Sequence, residues 1–527
     1  MTSRISALLF VLSLALGSMI APAEGLTVLN RGNGAEPKSL DPDFVDLIAE
    51  SNILGDLLTG LTTFDAAARP IPGAATSWDV SPDGKTWTFH LRREEWSDGS
   101  PVTAGDFVFA WRRLLDPRTG AFYAYNFWVL KNAHAISAKK LPPETLGVSA
   151  PNDATLVVEL EHPAPYLPEL LAHETAYPLP RASVLKLGSA WSEPRNYVGN
   201  GAFLPKEWIA NDHLTLVRNP RFYDAAHVRI DVVNYLPTQD SLAGLTRFRA
   251  GELDTQTPIP LVMIDWLRRT MGPELRSVPF LGLSYIDINL RHRQLSDVRM
   301  REALNLALDR ETLTNKVLKF GERPAYSIVP PQIANYPSSA CLPFASLSYP
   351  VRLARARLLM KEMGYGPARH FQTSYEMTGD PDNRRVATVL QAMWKRIWVD
   401  LDIVGTDSAI HYRNMQEGNY DLGAASWFAD FNDASNFLDL LRHDSGNNNG
   451  GYDNPKFEAI LNAAQNEPAA AARSRLLVAA EQAALDDYPW IPVRYRMTQD
   501  LVQPWVKGWV ENDREENRTR WLSIAPH

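Results

Sequence analysis

Residues able to do covalent chemistry are few in this sequence, and their spacing does not assemble a reaction centre. Glycines do not fall as G-x-S-x-G, G-x-x-x-x-G-K-[ST] or G-x-G-x-x-G, which leaves no nucleophile elbow and no phosphate loop. The eleven histidines are scattered: His370 and His411 are far apart, and His173-Glu174 lacks the second histidine of a zinc-protease helix. Asp486-Asp487 and Glu515-Glu516 could act as acid–base dyads, but neighbouring carboxylates more often mark a solvated surface. Cys341 follows the stretch Tyr336-Pro337-Ser338-Ser339-Ala340 with no histidine nearby, and reads as a small inert side chain. As the single cysteine it also excludes an internal disulfide and any cysteine-built metal site. No catalytic residue, metal or cofactor is expected, and the chain is expected not to be an enzyme.

The elements that would position any site mix strands with helices. Leu26 to Leu29 is apolar, Thr86-Trp87-Thr88-Phe89-His90-Leu91 alternates as a half-buried strand does, and Leu156, Val158 and Leu160 alternate with Thr155, Val157 and Glu159. Turns separate them at Ser81-Pro82-Asp83-Gly84 and Ser97-Asp98-Gly99. From Asp297 to Arg310 the helical period puts Met300, Ala303, Leu304, Ala307 and Leu308 on one face, with Ser296 as the expected N-cap. Asn454-Pro455 opens a helix that turns Phe457, Ile460, Leu461 and Ala464 inward, and Pro468 to Leu485 is helical by propensity. Without a strict βαβ rhythm, the fold class is mixed α/β.

The chain has 527 residues, 53 Lys+Arg against 61 Asp+Glu, and a net charge of −8; 45% of its residues are hydrophobic and 22% charged. That is globular composition, enough for two to four domains at roughly 100–200 residues each. Mild acidity argues against the basic face that nucleic acid requires. Between Arg4 and Glu24 there is no charge, and the apolar run Ile5 to Ile20 ends in Ala21-Pro22-Ala23. At about 16 residues the run is short of the roughly 20 that a membrane span needs. Residues 1–23 therefore read as a cleaved signal peptide. No cysteine follows that could take a lipid anchor, and the mature chain is expected free in the periplasm.

Five blocks carry a resemblance. Gly34-Ala35-Glu36-Pro37-Lys38-Ser39-Leu40-Asp41-Pro42 stands near the start, followed by Trp96-Ser97-Asp98-Gly99-Ser100-Pro101-Val102-Thr103-Ala104-Gly105-Asp106-Phe107. Gly199-Asn200-Gly201-Ala202-Phe203, Arg218-Asn219-Pro220, and Asp297-Val298-Arg299-Met300-Arg301-Glu302-Ala303-Leu304 with Asp309-Arg310 complete the order. Together they resemble the periplasmic oligopeptide-binding proteins of ABC importers, the peptide/nickel type of solute-binding protein family 5. The resemblance implies a bilobed fold with an additional domain: lobe one at 26–71, 180–284 and 498–527, the extra domain at 72–179, and lobe two at 285–497. The lobes would close by a hinge through the crossings near Leu283 and Met497.

The same resemblance implies a site. Ser426-Trp427-Phe428-Ala429-Asp430-Phe431-Asn432 is similar to the family segment that runs along the bound peptide, and Asp430 matches the aspartate that takes the ligand's α-ammonium. Main-chain pairing holds any peptide sequence, while one carboxylate fixes where the peptide starts; the alternative is a turn aspartate capping a helix. Thr59-Gly60-Leu61-Thr62 corresponds to the family's strand facing the peptide, and Tyr123 to a cleft tyrosine or else a core aromatic. Departures are equally specific. Met415 and Ala424 stand where arginines usually hold the ligand carboxylate, Asn383 replaces a histidine, and Arg494 and Arg496 replace aromatics, either as substitutes for those arginines or as structural residues. The expected function is capture of short peptides and their delivery, as a monomer, to membrane permease subunits, with no nucleic-acid partner. The alternatives are a murein peptide, an amino-acid conjugate or an oligosaccharide as ligand, or, in another class, a secreted hydrolase.

Overall fold

A computed structural model of the protein describes residues 25–337 and 339–527, so the expected signal peptide lies outside the described residues. Its strands, in chain order, are β1 (Val28–Asn33), β2 (Thr62–Phe64), β3 (Pro70–Pro72), β4 (Ala75–Val80), β5 (Thr86–Leu91), β6 (Val148–Asn152) and β7 (Thr155–Glu159). Next come β8 (Phe203–Ile209), β9 (His213–Arg218), β10 (Val232–Leu236), β11 (Thr255–Thr257) and β12 (Leu275–Ile288). Then follow β13 (Arg323–Pro324), β14 (Phe371–Thr378), β15 (Val399–Thr406), β16 (Leu422–Phe428), β17 (Trp490–Val502) and a short closing pair, β18 (Val506–Lys507) and β19 (Ser523–Ile524).

One large sheet runs β15-β14-β16-β12-β17-β11-β1-β10-β9-β8, with β13 added to β17. Its middle is made by β12 and β17, of 14 and 13 residues, which pair antiparallel from Leu275↔Leu501 to Asp287↔Trp490. Their register shifts between Pro279 and Leu283, a bulge that bends and twists the pair. Met497, opposite Pro279, and Leu283 flank that bulge, so the two residues expected at the crossings lie on neighbouring strands. A separate antiparallel sheet, β4-β5-β7-β6, is built entirely from residues 75–159. The alternating Thr86–Leu91 and Thr155–Glu159 runs pair in it residue for residue. The helix Ala104–Leu115 covers it, opened by Thr103 with Asp106 closing a capping box.

Two hydrophobic cores form. One gathers Leu29, Ile53, Phe89, Trp111, Phe203 and Val233; the other gathers Leu283, Ile286, Leu304, Trp394, Leu422 and Ile491. The second core also takes in Leu245, Phe248, Leu253 and Leu267, because β11 continues the sheet directly beside β17. The second core thus draws on residues before 284 as well as after it. Helix expectations hold with one correction. The helix Val298–Ala307 is capped by Asp297, whose carboxylate accepts from Arg299 N at 2.9 Å, whereas Ser296 spends its hydroxyl on Arg293 O. Asn454 caps Pro455–Asn466 as its spacing predicts, and the Ala-rich run forms Ala470–Asp487. No helix among the described residues is long and apolar enough to cross a membrane.

The loop leaving β16 is pinned by a buried ion pair: Arg473, on Ala470–Asp487, forks onto Asp433 at 2.7 and 2.8 Å, both side chains 8% exposed. Removing one partner leaves the other charge uncompensated, at a cost of about 3–5 kcal/mol. Arg473→Leu should lower the urea midpoint accordingly, and an unchanged midpoint would mean that the pair contributes no net stability.

Candidate ligand-binding site

The site is built along β16, where small Gly423, Ala424 and Ala425 precede the strand-favouring Trp427 and Phe428. On one edge β16 pairs with β12 over its whole length, from Leu422↔Ile288 to Phe428↔Gly282. On the other edge β14 reaches only Leu422 and Gly423. Among the described residues no strand covers that edge from Ala424 to Phe428. The alternation of an antiparallel ladder says which groups face the gap. Ala429 N donates to Leu281 O at 2.8 Å, so every second residue back from it (Trp427, Ala425) bonds inward, and Ser426 and Phe428 turn N–H and C=O outward. Ala424 follows the same parity: its carbonyl accepts from His411 Nε2 at 2.9 Å. The Ser426 hydroxyl lies 2.9 Å from that of Ser284 directly across the ladder. Gly282 has room for nothing more, since a Cβ there would meet the Phe428 ring at 2.7 Å.

The open edge faces a cavity of about 270 Å³ whose walls include Asp46, Ile48, Tyr123, His173, Ser426 and Asp430. Asp430 ends the strand's run into it. Its carboxylate accepts from Asn436 Nδ2 at 3.4 Å, and Asn436 Oδ1 accepts from both Asp430 N and Trp427 Nε1. The Asp430 carbonyl takes Arg514 at 2.7 Å, and Arg514 is neutralised by Glu169 at 2.8 Å. Burial pushes the Asp430 carboxyl above the ordinary aspartate range, with His173 opposing the rise. His173 lies 3.6 Å from Glu174, which accepts from Ser51. Burial, with Asp430's charge next, pushes the Tyr123 and Tyr125 phenols up, so both stay neutral donors. On the same wall Glu515 is raised by burial and by Asp500, its close buried neighbour. The pocket carries more carboxylate than cation, which suits an ammonium.

A second recess, of about 80 Å³, shares Ser426 and is lined by Ser284, Asn383, His411 and Arg494. Arg494 and Arg496 both reach the buried Glu322, at 2.6 and 3.3 Å, and the charges of Asp382 and Glu515 also act on Arg496. Arg496 also sits over the Phe428 ring, 5.7 Å from its centroid. Asn383 is occupied by Thr378 and Asp380 in the first turn of a helix.

Of the expected site residues, Ser426, Trp427, Phe428, Asp430 and Tyr123 come together around the 270 Å³ cavity, with Arg494 one recess away. Gly60, Leu61 and Thr62 do not reach it. Their backbone is already used: Gly60 O accepts from Ala74 N, Leu61 O from Gly73 N and Ala75 N, and all three residues are buried, Gly60 against Leu171 and Tyr177. The opposite wall is formed instead by Asp46, Leu47 and Ile48, which sequence reasoning missed. They follow closely on the Leu40-Asp41-Pro42 block, and that proximity was the one available signal. His173-Glu174, set aside as a broken metal motif, also belongs to the wall.

Two cores joined by two long strands, with a half-paired strand facing the space between them, define a bilobed binding protein. A family model described as "Bacterial extracellular solute-binding proteins, family 5 Middle" matches residues 69–449. The chain is 36% identical over 497 residues to the periplasmic oligopeptide-binding protein OppA of Salmonella typhimurium, covering 93% of this chain and 91% of that one. It is 32% identical over 497 residues to the periplasmic murein peptide-binding protein MppA of Escherichia coli, covering 93% and 92%. It superposes with a TM-score of 0.85 on Haemophilus influenzae OppA in complex with RPPGFSPFR, at 34% identity, covering 95% of this chain and 99% of that one. The chain belongs to the bacterial extracellular solute-binding proteins of family 5.

Carbon-13 NMR titration of the Asp430 carboxyl in the ligand-free protein should give a midpoint above the ordinary aspartate value. His173→Gln should move it higher still, because a group that favours the ionised form is gone. A midpoint at or below the ordinary value would contradict the description of this pocket.

Proposed function

We propose that the protein captures short peptides between its lobes in the periplasm and hands them, chemically unchanged, to an ABC importer's membrane subunits. It acts after loss of residues 1–23 and without a lipid anchor. The observation that carries this reading is the open edge of β16 ending at Asp430. An extended ligand supplies the missing main-chain partners at Ser426 and Phe428, and its α-ammonium supplies the counter-charge that Asp430 lacks. Tyr123 is a neutral donor beside that pair. Arg494, which lines the recess beside Ser426 next to Arg496, is positioned to meet the ligand's carboxylate end in place of the arginines absent at Met415 and Ala424. The free-amine anchor equally suits a murein peptide, and the MppA relative supports that as the second reading.

Breaking one side of an enclosed ammonium–carboxylate pair costs about 3–5 kcal/mol, or two to three orders of magnitude in affinity. Asp430→Ala should therefore weaken binding of a tripeptide such as trialanine by that factor in calorimetry. N-terminal acetylation should weaken wild-type binding comparably and add little in the mutant, because both changes delete one interaction. In the same assay Arg494→Gln should cost the free acid more than its C-terminal amide. Additive losses from acetylation and Asp430→Ala, or full-strength binding of acetylated peptides, would remove Asp430 as the amine anchor. Equal losses for acid and amide would make Arg494 structural.

A further inference from the structure

Where β17 leaves the hinge bulge, two carboxyl groups meet outside the machinery that anchors the ligand. Asp500 stands on β17 opposite Arg276 of β12, shortly past Met497, and is 5% exposed. Its side chain hydrogen-bonds that of Glu515. Both line an enclosed recess of about 10 Å³, which has room for one water and none for a hydrated cation. The loop holds Glu515 in place. Asn512 Oδ1 accepts from Arg514 N and Glu516 N, each at 3.1 Å, and Glu515 takes a φ of 59°, a left-handed conformation uncommon for glutamate.

The same loop joins the hinge bulge to the amine pocket. Leu281 N, inside the β12 bulge, donates to Asp513 O at 2.9 Å, and Arg514 donates to the Asp430 carbonyl. Glu515 itself walls the Asp430 cavity, where the other charged groups are Asp46, His173, Glu174, Asp430, Arg514 and Glu516.

Two carboxyl groups in hydrogen-bond contact cannot both ionise without an opposing charge, and the cations around them are committed elsewhere. Arg31 on β1 donates to Tyr235, Asn517 O and Thr519. Arg276 pairs with Glu511, Arg496 with Glu322, Arg514 with Glu169 and Arg518 with Glu516. Among the described residues no basic side chain lies within ion-pair distance of Asp500 or Glu515. Arg31 and Arg496 act on the pair only from further off, Glu511 opposes them at Asp500, and Thr257 on β11 adds a hydroxyl. Burial outweighs these influences and holds both carboxyls above their ordinary range.

Resting on the peptide reading above, we propose that Asp500 and Glu515 share one proton in the ligand-free protein and release it when a ligand's ammonium enters the neighbouring cavity, so that peptide capture is coupled to proton release. The O–H bond breaks, the proton passes to solvent, and the ammonium supplies the positive charge in its place. An ammonium favours the fully ionised pair, so affinity rises with pH across the pair's titration and falls in acid.

Asp500→Asn keeps the shape and a donor for Glu515 but removes the titrating partner. In carbon-13 NMR of the ligand-free protein, Glu515 should titrate well above the ordinary glutamate value. In the variant its midpoint should fall by at least about one unit, a tenfold change in proton affinity. Calorimetry of trialanine in buffers of different ionisation enthalpy then counts the protons released. Asp430, itself raised by burial, contributes in both proteins, so the difference between them reports the pair. Between about pH 5 and 8 the wild type should release more protons and gain about tenfold more affinity than the variant. Glu515→Gln should lose the same increment. A wild-type Glu515 midpoint at the ordinary value would overturn the shared proton. Trialanine bound with equal proton release by wild type and both variants would overturn the coupling and leave peptide capture standing. No trialanine binding at any pH would overturn the peptide reading and the coupling together.

Discussion

A backbone N–H or C=O must find a partner wherever water is excluded, and this protein leaves one strand edge half paired at the place where its halves meet. β16 is bonded along one side to β12 and open on the other beyond Gly423. Much of the surrounding structure keeps it so. β12 and β17 hold the strand from behind, Gly282 admits the Phe428 ring, and the Asp433–Arg473 pair fixes the loop that brings Asp430 round. The open edge is short, lies inside the cleft and ends in a carboxylate. It is thus shielded from the edge-to-edge pairing that exposed strands invite.

Two kinds of recognition divide the work by magnitude. In the proposed complex, main-chain hydrogen bonds from the ligand to Ser426 and Phe428 would contribute on the order of 1 kcal/mol each and carry no sequence information. There the buried Asp430 carboxylate would gain more from an ammonium and, having one fixed position, would set the register. Closure itself uses contacts from the same loop: Phe431 stacks on Tyr166, and Asn432 N donates to Glu169. The segment proposed to anchor the ligand thus also bridges the two halves, which would couple binding to closure.

What was legible in the sequence was local. The alternation of Thr86–Leu91, the cap Asn454 and the segment Ser426 to Asn432 each lie within a dozen residues; the structure forms the first two as read and puts Ser426 to Asp430 on the wall of the 270 Å³ cavity. Ser296 misled because the cap lies one residue later: the Asp297 carboxylate accepts from Arg299 N, while the Ser296 hydroxyl donates to Arg293 O. The opposite wall was not legible for a different reason. Asp46 to Ile48 has no alternation, and it meets Asp430 only through the fold, while Gly60 to Thr62 looks strand-like but spends its backbone on Gly73 to Ala75. Arg494 and Arg496 were visible as anomalies; their shared partner Glu322 was not, since nothing in its own neighbourhood points to them. A recess of about 770 Å³ on the far side of Trp427 is assembled from segments around residues 121–135, 161–166 and 427–447 with Gln465, a juxtaposition that no local pattern encodes.

The central claim is that ligand backbone completes the β16 ladder, and amide hydrogen exchange tests it residue by residue. With saturating trialanine, the Ser426 and Phe428 amides should slow by at least about tenfold relative to the ligand-free protein. Trp427 N–H, already bonded to β12, should change far less. Protection that rises equally at Trp427, Ser426 and Phe428 would reflect general closure. Protection unchanged at Ser426 and Phe428 while trialanine is bound would contradict strand addition and leave the open edge without a role.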